Sequence, residues 1–231
     1  MKAGILVAMD RERASLEGLV ASASLPPVLR IALRQTGIGK VNAALGADAL
    51  LREEAPDVVL STGCAGSLVE DIGVGETVVG AFTAYHDVWC GAPNARGQVQ
   101  GCPARFEADA RLIAAARSVP GVRLGLIATG DCFVDTAEKR AEILAIHPDA
   151  TAADMESAAI AQVCHSAGVP FLSIRAISDA PGADPRAMQY DSFWKRLADS
   201  SFAATRAFLE ALPGFLRADL PSPATNTQKR L

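Results

Sequence analysis

An acidic residue closes one of the apolar segments of this sequence and is the first candidate for chemistry. The segment ends in Arg175-Ala176-Ile177-Ser178-Asp179. A carboxyl group at the carboxyl end of a buried strand is poorly solvated, so it can hold and donate a proton near neutral pH. Because ligands of open α/β sheets bind outside those strand ends, the sequence makes Asp179 a candidate general acid.

Two further acidic residues follow other predicted strands. Glu12 lies about one turn past the first apolar segment, residues 4–8, and Glu156 follows Asp154 at the start of a predicted helix. Taken alone, an acidic residue in a first helical turn is usually a solvated charge or a complement to the helix dipole. Acids at three separate strand ends are more specific. One can protonate a leaving group, one can activate water and one can hold hydroxyl groups, which is the division of labour that glycosidic cleavage needs.

Two segments rich in small residues are candidates for backbone contacts with a ligand. Thr62-Gly63-Cys64-Ala65-Gly66-Ser67 follows a predicted buried strand, and its small side chains let a ligand approach backbone N–H groups. Cys64 is predicted to pack rather than to act as a nucleophile, because no histidine lies nearby in sequence to activate it. Residues 36–40 have neither P-loop nor dinucleotide-binding spacing, so a tight turn and a ligand contact both remain open.

Composition argues against several classes of protein. The chain has 231 residues, 50% of them hydrophobic, and a net charge of −4. One large or two small α/β domains fit these values, and nucleic-acid binding does not. The apolar runs are too short to span a bilayer, and the amino-terminal run is typical of a core strand rather than a signal peptide. Five scattered cysteines without a CxxC pair predict a reducing cytoplasm, and the histidines lack metal-ligand spacing.

Strand and helix patterns alternate along most of the chain. The alternation predicts a largely parallel sheet with helices on both faces, followed by a long amphipathic helix over residues 192–212. One domain is expected over residues 1–213. Residues 214–231 are expected to form a disordered tail, because polar residues and proline replace the apolar ones. Residues 87–105 have no periodicity, which is typical of a binding loop, a subunit contact or disorder.

Several blocks of the sequence occur together in one enzyme family. The blocks, in chain order, are residues 4–12, Thr36-Gly37-Ile38-Gly39-Lys40-Val41-Asn42-Ala43-Ala44, residues 62–66, Tyr85-His86-Asp87, Thr129-Gly130-Asp131-Cys132-Phe133, Asp154-Met155-Glu156-Ser157-Ala158 and residues 175–179. Over about residues 1–212 the chain resembles the 5′-methylthioadenosine/S-adenosylhomocysteine nucleosidases of the purine nucleoside phosphorylase superfamily. The resemblance implies a three-layer αβα sandwich around a central mixed sheet, a homodimer, a nucleoside as substrate, and neither a cofactor nor a metal.

The resemblance also implies a role for each matching residue. Asp179 corresponds to the acid that protonates adenine N7, Glu12 to the base that activates water, and Glu156 to the residue that binds ribose hydroxyls. Phe133 corresponds to the aromatic residue that stacks on the purine, and Val134 to the residue whose backbone reads the adenine edge. The other matches are substrate contacts or supports of the acidic cluster: Met9, Cys64, Gly66, Met155, Arg175 and Ser178.

The sequence departs from the family pattern at three places. Cys64 stands where the bacterial nucleosidases usually have serine, and Asp154 replaces glutamate. The third departure is at residues 88–94, which lack the phenylalanine that the family normally places in the neighbouring subunit's pocket for the 5′ substituent. The preferred 5′ substituent is therefore left open, whereas the purine and ribose contacts are retained.

The expected reaction is hydrolysis of a 5′-substituted adenosine, such as 5′-methylthioadenosine, S-adenosylhomocysteine or 5′-deoxyadenosine, with release of adenine. A purine nucleoside phosphorylase would instead need arginines to neutralise phosphate, whereas residues 60–62 contain none and Glu12 stands beside Arg11. The sequence is also compatible with a futalosine-type nucleosidase that takes a different 5′ group, and with a non-catalytic nucleoside sensor.

Overall fold

Strands and helices alternate along the chain in the computed structural model, which describes residues 1–22, 25–181 and 190–216. The strands are β1 Lys2–Val7, β2 Arg30–Gln35, β3 Val58–Ser67, β4 Thr77–Tyr85, β5 Phe106–Glu107, β6 Val122–Thr129, β7 Ala150–Asp154 and β8 Phe171–Asp179. The helices are α1 Asp10–Ser22, α2 Lys40–Glu54, α3 Ala110–Arg117, α4 Ala137–Ile146, α5 Ser157–Ala167 and α6 Tyr190–Leu216.

The strands form a single mixed sheet in the order β2-β1-β3-β7-β6-β4-β5, and β8 pairs with both β3 and β4. Most neighbours are parallel, but β4 is antiparallel to β8 and to β5, and β3 is antiparallel to β7. The mixed sheet that the resemblance implies is therefore confirmed, and the largely parallel sheet predicted from alternation alone is too simple. The antiparallel pairing has a physical cause. Residues 68–76, which connect β3 to β4, are too few for the helical crossover that two parallel strands require.

Helices cover both faces of the sheet and give the expected three layers. On one face, α1, α3 and α6 bury Leu16, Leu112 and Phe208 against β1, β3 and β8. On the other face, α2 and α5 pack together through Leu50 and Ile160. The central strands are consequently buried on both sides, which explains why β1 and the first half of β3 are continuous apolar runs rather than alternating ones.

Two element boundaries and one whole strand near the predicted site differ from the sequence-based expectation. The small residues after Ser61 belong to β3, which continues to Ser67, whereas a loop was expected because glycine is depleted in strands. The sequence predicts a helix over residues 155–167, whereas α5 begins at Ser157 and its N-cap is Glu156. β7 has no clear strand pattern in the sequence, because three of its five residues are alanine and only Thr151 is β-branched.

The last helix extends beyond its predicted end. It continues through Pro213 to Leu216, and its last turn packs Phe215 against the same core as Leu212. Residues 217–231, most of the predicted disordered tail, lie outside the described residues. Within the part of the chain that the structure describes, no helix is both long and apolar enough to cross a membrane. All five cysteines are unpaired.

Candidate active site

A cleft of about 690 Å³, counted to its open mouth, lies at the carboxyl ends of β1, β3, β6, β7 and β8. All the predicted site residues except Arg175 line it: Met9, Glu12, Cys64, Gly66, Phe133, Val134, Met155, Glu156, Ser178 and Asp179. The other lining residues are Ala8, Ile38, Ala65, Cys132, Ala153 and Asp154. The structure thus brings together the three acids that the sequence places at separate strand ends.

Glu12 is a buried carboxylate with a full set of backbone donors. Its side chain is 2% exposed and turns back from α1 towards the end of β1. Oε2 accepts hydrogen bonds from the N–H groups of Ala8 (2.9 Å) and Met9 (3.0 Å), and Oε1 accepts one from the N–H of Cys64 (3.2 Å). Burial raises the pKa of Glu12, against the opposing effects of Arg175 and these donors. The result is a fixed acceptor of increased basicity, suited to taking a proton from water.

Asp179 ends β8 at the rim of the cleft and is only partly buried. Its Oδ1 atom accepts a hydrogen bond from the hydroxyl of Ser178 at 2.6 Å. The same hydroxyl lies 3.2 Å from the carbonyl oxygen of Ala65. The shorter contact to the carboxylate fixes the orientation of the Asp179 side chain.

Two glycines of β3 make room for these acids. A Cβ atom on Gly63 would lie 2.6 Å from Glu12 Oε1, and one on Gly66 would lie 2.7 Å from Asp179 Oδ2. Real Cβ atoms essentially never approach an oxygen so closely. A larger residue at either position would displace the carboxylate, which explains why this strand contains two residues of low strand propensity.

Glu156 is the third acid, at the N-cap of α5. Its Oε1 atom accepts the N–H of Gly39 at 2.9 Å, and its Oε2 atom makes no hydrogen bond with the described residues. Burial and the neighbouring charge of Asp154 raise the pKa of Glu156 to about 7, while Arg175 and the Gly39 donor oppose the shift. The free oxygen beside the cleft is suited to accept hydrogen bonds from a polyol.

Arg175 lies beneath the cleft and is 2% exposed. Its Nε atom donates to Asp154 Oδ2 at 2.8 Å, and Nη2 donates to Ser61 Oγ at 2.8 Å. Burial acts against the charge of Arg175, but the carboxylates of Asp154, Glu156 and Glu12 outweigh it and raise its pKa. Arg175 is thus the cation that compensates the buried acids rather than a residue on the cleft wall.

Asp154 has a structural role that the sequence does not reveal. Its carboxylate is the direct partner of Arg175 and also accepts hydrogen bonds from Thr129 Oγ1 at 2.6 Å and from the hydroxyl of Ser157. Such a saturated carboxylate anchors the buried cation. Sequence alone shows only an acid near a helix start, because Arg175 and Thr129 are 21 and 25 positions away from it.

Cys64 contributes its backbone rather than its thiol to the acidic centre. Burial and the adjacent Glu12 carboxylate raise the pKa of the thiol, so it stays protonated and is a poor nucleophile. The expectation that Cys64 packs rather than attacks agrees with this environment.

Apolar side chains form the outer part of the cleft. Phe133 is 64% exposed and lines one wall, next to Val134, and Met9 and Met155 line the cleft nearer the acids. Ile38, from the turn before α2, also lines the cleft and was not predicted to do so. Apolar walls with a few acids at one end suit a flat heteroaromatic ring that carries a polar group.

The turn at residues 36–40, which the sequence left open, serves the site through its backbone. Gly37 and Gly39 have φ values of +93° and +94°, a conformation that favours glycine, and the N–H of Gly39 holds Glu156. The paired glycines were the available signal, but a plain tight turn produces the same pattern. Among the described residues no group of three or more His, Cys, Asp or Glu side chains is arranged to hold a metal ion.

Comparison with known proteins agrees with this geometry. The sequence profile of the Phosphorylase superfamily matches residues 24–210. A 5′-methylthioadenosine/S-adenosylhomocysteine nucleosidase of Actinobacillus succinogenes is 41% identical over 211 residues, which cover 84% of this chain and 91% of that protein.

Solved structures give the same picture. The 5′-methylthioadenosine/S-adenosylhomocysteine nucleosidase of Neisseria meningitidis, in complex with methylthio-immucillin-A, matches with a TM-score of 0.82 and 37% identity, covering 91% of this chain and 99% of that one. Futalosine hydrolase of Helicobacter pylori matches with a TM-score of 0.80 and 28% identity, covering 90% and 97%. This chain belongs to the 5′-methylthioadenosine/S-adenosylhomocysteine nucleosidase family of the phosphorylase superfamily.

Proposed function

We propose that this protein hydrolyses the N-glycosidic bond of 5′-substituted adenosines, with 5′-methylthioadenosine, S-adenosylhomocysteine and 5′-deoxyadenosine as substrates. The products are adenine and a 5′-substituted ribose, the first step of a methionine salvage route. The observation that carries the proposal is the meeting of Glu12, Glu156 and Asp179 in one cleft with an apolar outer part. Relatives at 37–41% identity that are named for this activity support it.

Asp179 is the proposed general acid. It stands at the rim, beside the apolar walls where the purine would lie, and Ser178 holds one of its oxygens. A proton passed from the other oxygen to adenine N7 turns the purine into a neutral leaving group. The electrons of the breaking C–N bond then stay with adenine, and the ribose becomes an oxocarbenium-like cation.

Glu12 is the proposed general base. A water molecule beside its carboxylate attacks the anomeric carbon and gives one proton to Glu12, which leaves the second hydrogen as the new sugar hydroxyl. Burial helps this step because it raises the pKa of Glu12 and so strengthens the base. The three backbone donors keep the carboxylate in place while it acts.

Glu156 is the proposed ligand of the ribose hydroxyls, since Oε1 is held by Gly39 and Oε2 is free among the described residues. In this arrangement the sugar lies between Glu12 and Asp179, with Met155 against its apolar face. Phe133 and Val134 then contact the purine. The remaining predicted contacts, Met9, Cys64 and Gly66, form the floor near the attacking water.

Hydrolysis is favoured over phosphorolysis by the charge of the cleft. Its lining contains Glu12, Asp154, Glu156 and Asp179, and among the described residues that line it there is no lysine or arginine. A phosphate dianion would meet these acids with no cation on the cleft wall to neutralise it, since Arg175 is buried and already paired with Asp154. The test is to incubate the purified protein with 5′-methylthioadenosine, with and without phosphate, and to identify the sugar product. A sugar 1-phosphate formed only with phosphate would overturn the hydrolase proposal.

The futalosine-type substrate remains the second candidate, because futalosine hydrolase is among the structural neighbours. The loop that follows β4 differs from the family pattern and carries Trp89, which is 50% exposed and stacks on the Arg96 guanidinium at 4.6 Å. A panel of nucleosides that differ only in the 5′ substituent decides between the two. A preference of kcat/KM for futalosine over 5′-methylthioadenosine would reassign the substrate.

A homodimer in the cytoplasm is also proposed. Val41 and Leu45 of α2 are 70% and 64% exposed, and they border a groove that α5 completes with Val163. An exposed apolar surface of this kind is typical of a subunit contact. Light scattering of wild type and Leu45→Glu tests the dimer, and a wild-type monomer would contradict it. The unpaired cysteines support a reducing compartment.

A further inference from the structure

Three charged residues beside the cleft have no part in the chemistry described above. Lys40, Asp87 and Asp131 form a closed ring of contacts, here called the Lys40 cluster. Lys40 Nζ lies 2.6 Å from Asp87 Oδ2 and 3.8 Å from Asp131 Oδ2. Asp87 Oδ2 also accepts the backbone N–H of Asp131 at 2.9 Å, and Asp131 Oδ1 accepts the backbone N–H of Lys40 at 2.7 Å. Each of the three is therefore bonded to the other two.

The cluster touches the turn that holds the proposed ribose ligand. Gly39 and Lys40 donate consecutive N–H groups, the first to Glu156 and the second to Asp131. A Cβ atom on Gly39 would lie 3.0 Å from Asp131 Oδ1, so the Asp131 carboxylate packs directly on this turn. Gly39 is the N-cap of α2 and has no side chain to cap the helix. Asp131, from a distant loop, supplies the missing cap.

The same cluster fixes the start of the segment that lines the purine side. Cys132, Phe133 and Val134 follow Asp131 directly and line the cleft. Before Asp131, the Gly130 N–H bonds to the carbonyl oxygen of Asp154 at 3.1 Å. Asp131 is thus the point at which the purine wall is attached to the turn that orients Glu156.

We propose that Asp131, held by Lys40 and Asp87, is a positioning residue that sets the distance between the ribose and purine contacts of the cleft. This inference rests on the proposed function, because it concerns how two halves of one substrate are held. The purine wall and the ribose ligand come from chain segments with no direct bond between their side chains in the described residues. The Lys40 cluster gives them a common rigid support.

The backbone cap carries most of the effect, so the conservative variant is informative. Asp131→Ala removes the acceptor, whereas Asp131→Asn keeps an oxygen at the Oδ1 position and loses the charge and the oxygen that faces Lys40. Asp149→Ala is the matched control, since Asp149 also bonds a cation, Arg105, at 2.6 Å on the surface and does not line the cleft.

The test measures kcat/KM for 5′-methylthioadenosine, the affinity for adenine by calorimetry, and amide hydrogen exchange of Gly39 and Lys40 by NMR. Asp131→Ala is expected to lower kcat/KM by about 10- to 100-fold, to weaken adenine binding, and to speed both amides by about tenfold or more. Asp131→Asn should stay within about threefold of wild type. The control should match wild type in all three.

Activity and amide exchange together distinguish a failure of this inference from a failure of the proposed function. A wild type that releases no adenine would sink the proposed reaction, while amide exchange would still test the support. An active wild type with Asp131→Ala equal to the control in kcat/KM and in Gly39 exchange would overturn the inference. The inference would also be overturned if Asp131→Ala lowered the melting temperature but left adenine affinity and the amide exchange of Gly39 and Lys40 unchanged. If Asp131→Ala does not fold, Asp131→Ser replaces it, because its shorter side chain withdraws the acceptor from the Lys40 N–H, and the same direction is expected for every readout.

Discussion

The substitution Gly63→Ala tests whether the placement of Glu12 sets the reaction rate. The added Cβ atom would lie 2.6 Å from Glu12 Oε1 and 3.1 Å from its carboxyl carbon, whereas ordinary contact starts at 3.4 Å. The carboxylate must therefore move by about 0.8 Å. The displaced atom is the one that accepts the N–H of Cys64, in the next residue of the same strand, so that hydrogen bond is disturbed as well.

A displacement of this size has a defined kinetic cost. A shift of about 1 Å in a catalytic group can cost about 100-fold in rate, so Gly63→Ala is expected to lower kcat/KM for 5′-methylthioadenosine by roughly 100-fold. Overpacking also costs about 1–3 kcal/mol of the free energy of unfolding. Adenine affinity should change little, since the purine wall lies at Phe133 and Val134, away from Gly63.

The matched control is Gly18→Ala on the exposed face of α1. Its Cβ atom meets nothing within 4 Å, and alanine in a helix stabilises by about 0.5–1 kcal/mol relative to glycine. Adenine release is followed by absorbance, adenine binding by calorimetry, and the free energy of unfolding by urea denaturation. If Gly63→Ala keeps kcat/KM within threefold of wild type while adenine binding is intact, the assignment of Glu12 as a precisely placed base is refuted.

Three further predictions concern the acids and their counter-ion. Asp179→Asn keeps the acceptor for Ser178 but carries no acidic proton, so kcat should fall by about 10²–10⁴ with KM little changed; unchanged adenine release would make the acid assignment wrong. Arg175→Met should lower the free energy of unfolding by about 3–5 kcal/mol, measured by urea denaturation, because it leaves buried carboxylates without their cation; an unchanged value would contradict this account of the cluster. The pKa of Glu156 is raised to about 7 from an ordinary 4.5, and this predicts how both KM and stability change with pH. KM should fall as pH rises through 7, since the carboxylate form accepts ribose hydroxyls, and stability should decline as pH rises from about 4.5 to 7, because the folded state holds the proton more tightly. Glu156→Gln should remove the pH dependence of KM and weaken that of the melting temperature, to which the raised pKa of Glu12 also contributes; a variant that retains both dependences in full would exclude Glu156 as their source.

The sequence predicts which acids meet at one edge of the sheet, but it does not predict which residues hold them in place. Glu12, Glu156 and Asp179 could be found because each follows an apolar segment, and strand ends of an α/β sheet meet at one edge. The supports are pairings across long chain separations: Gly39 with Glu156 at 117 residues and Lys40 with Asp131 at 91. No local pattern encodes such pairs, so only the folded chain shows them.

The end of β3 was also predicted wrongly, because local propensity does not reflect contacts between distant residues. The end of β3 contains glycines that local propensity assigns to a loop, yet their small size is what lets Glu12 and Asp179 approach. The close approach of these two side chains outweighs local propensity at the end of β3. The alanine-rich β7 was missed for the opposite reason, because it is held by its neighbours β3 and β6 and has no strand pattern of its own.

The charge balance beneath the cleft links these features to the reaction. Among the described residues, Arg175 is the buried cation that faces three buried carboxylates, Glu12, Asp154 and Glu156. When all three are ionised, the centre carries an excess of negative charge, which repels phosphate and attracts the cationic ribose of an oxocarbenium-like transition state. A nucleoside analogue with a positively charged ring in place of ribose should therefore bind more tightly than its neutral isostere. The difference should grow by about tenfold between pH 6 and pH 8, as Glu156 loses its proton near pH 7. Calorimetry of the charged and neutral analogues at several pH values measures it, and equal affinities at every pH would show that the buried acids do not stabilise positive charge in the cleft.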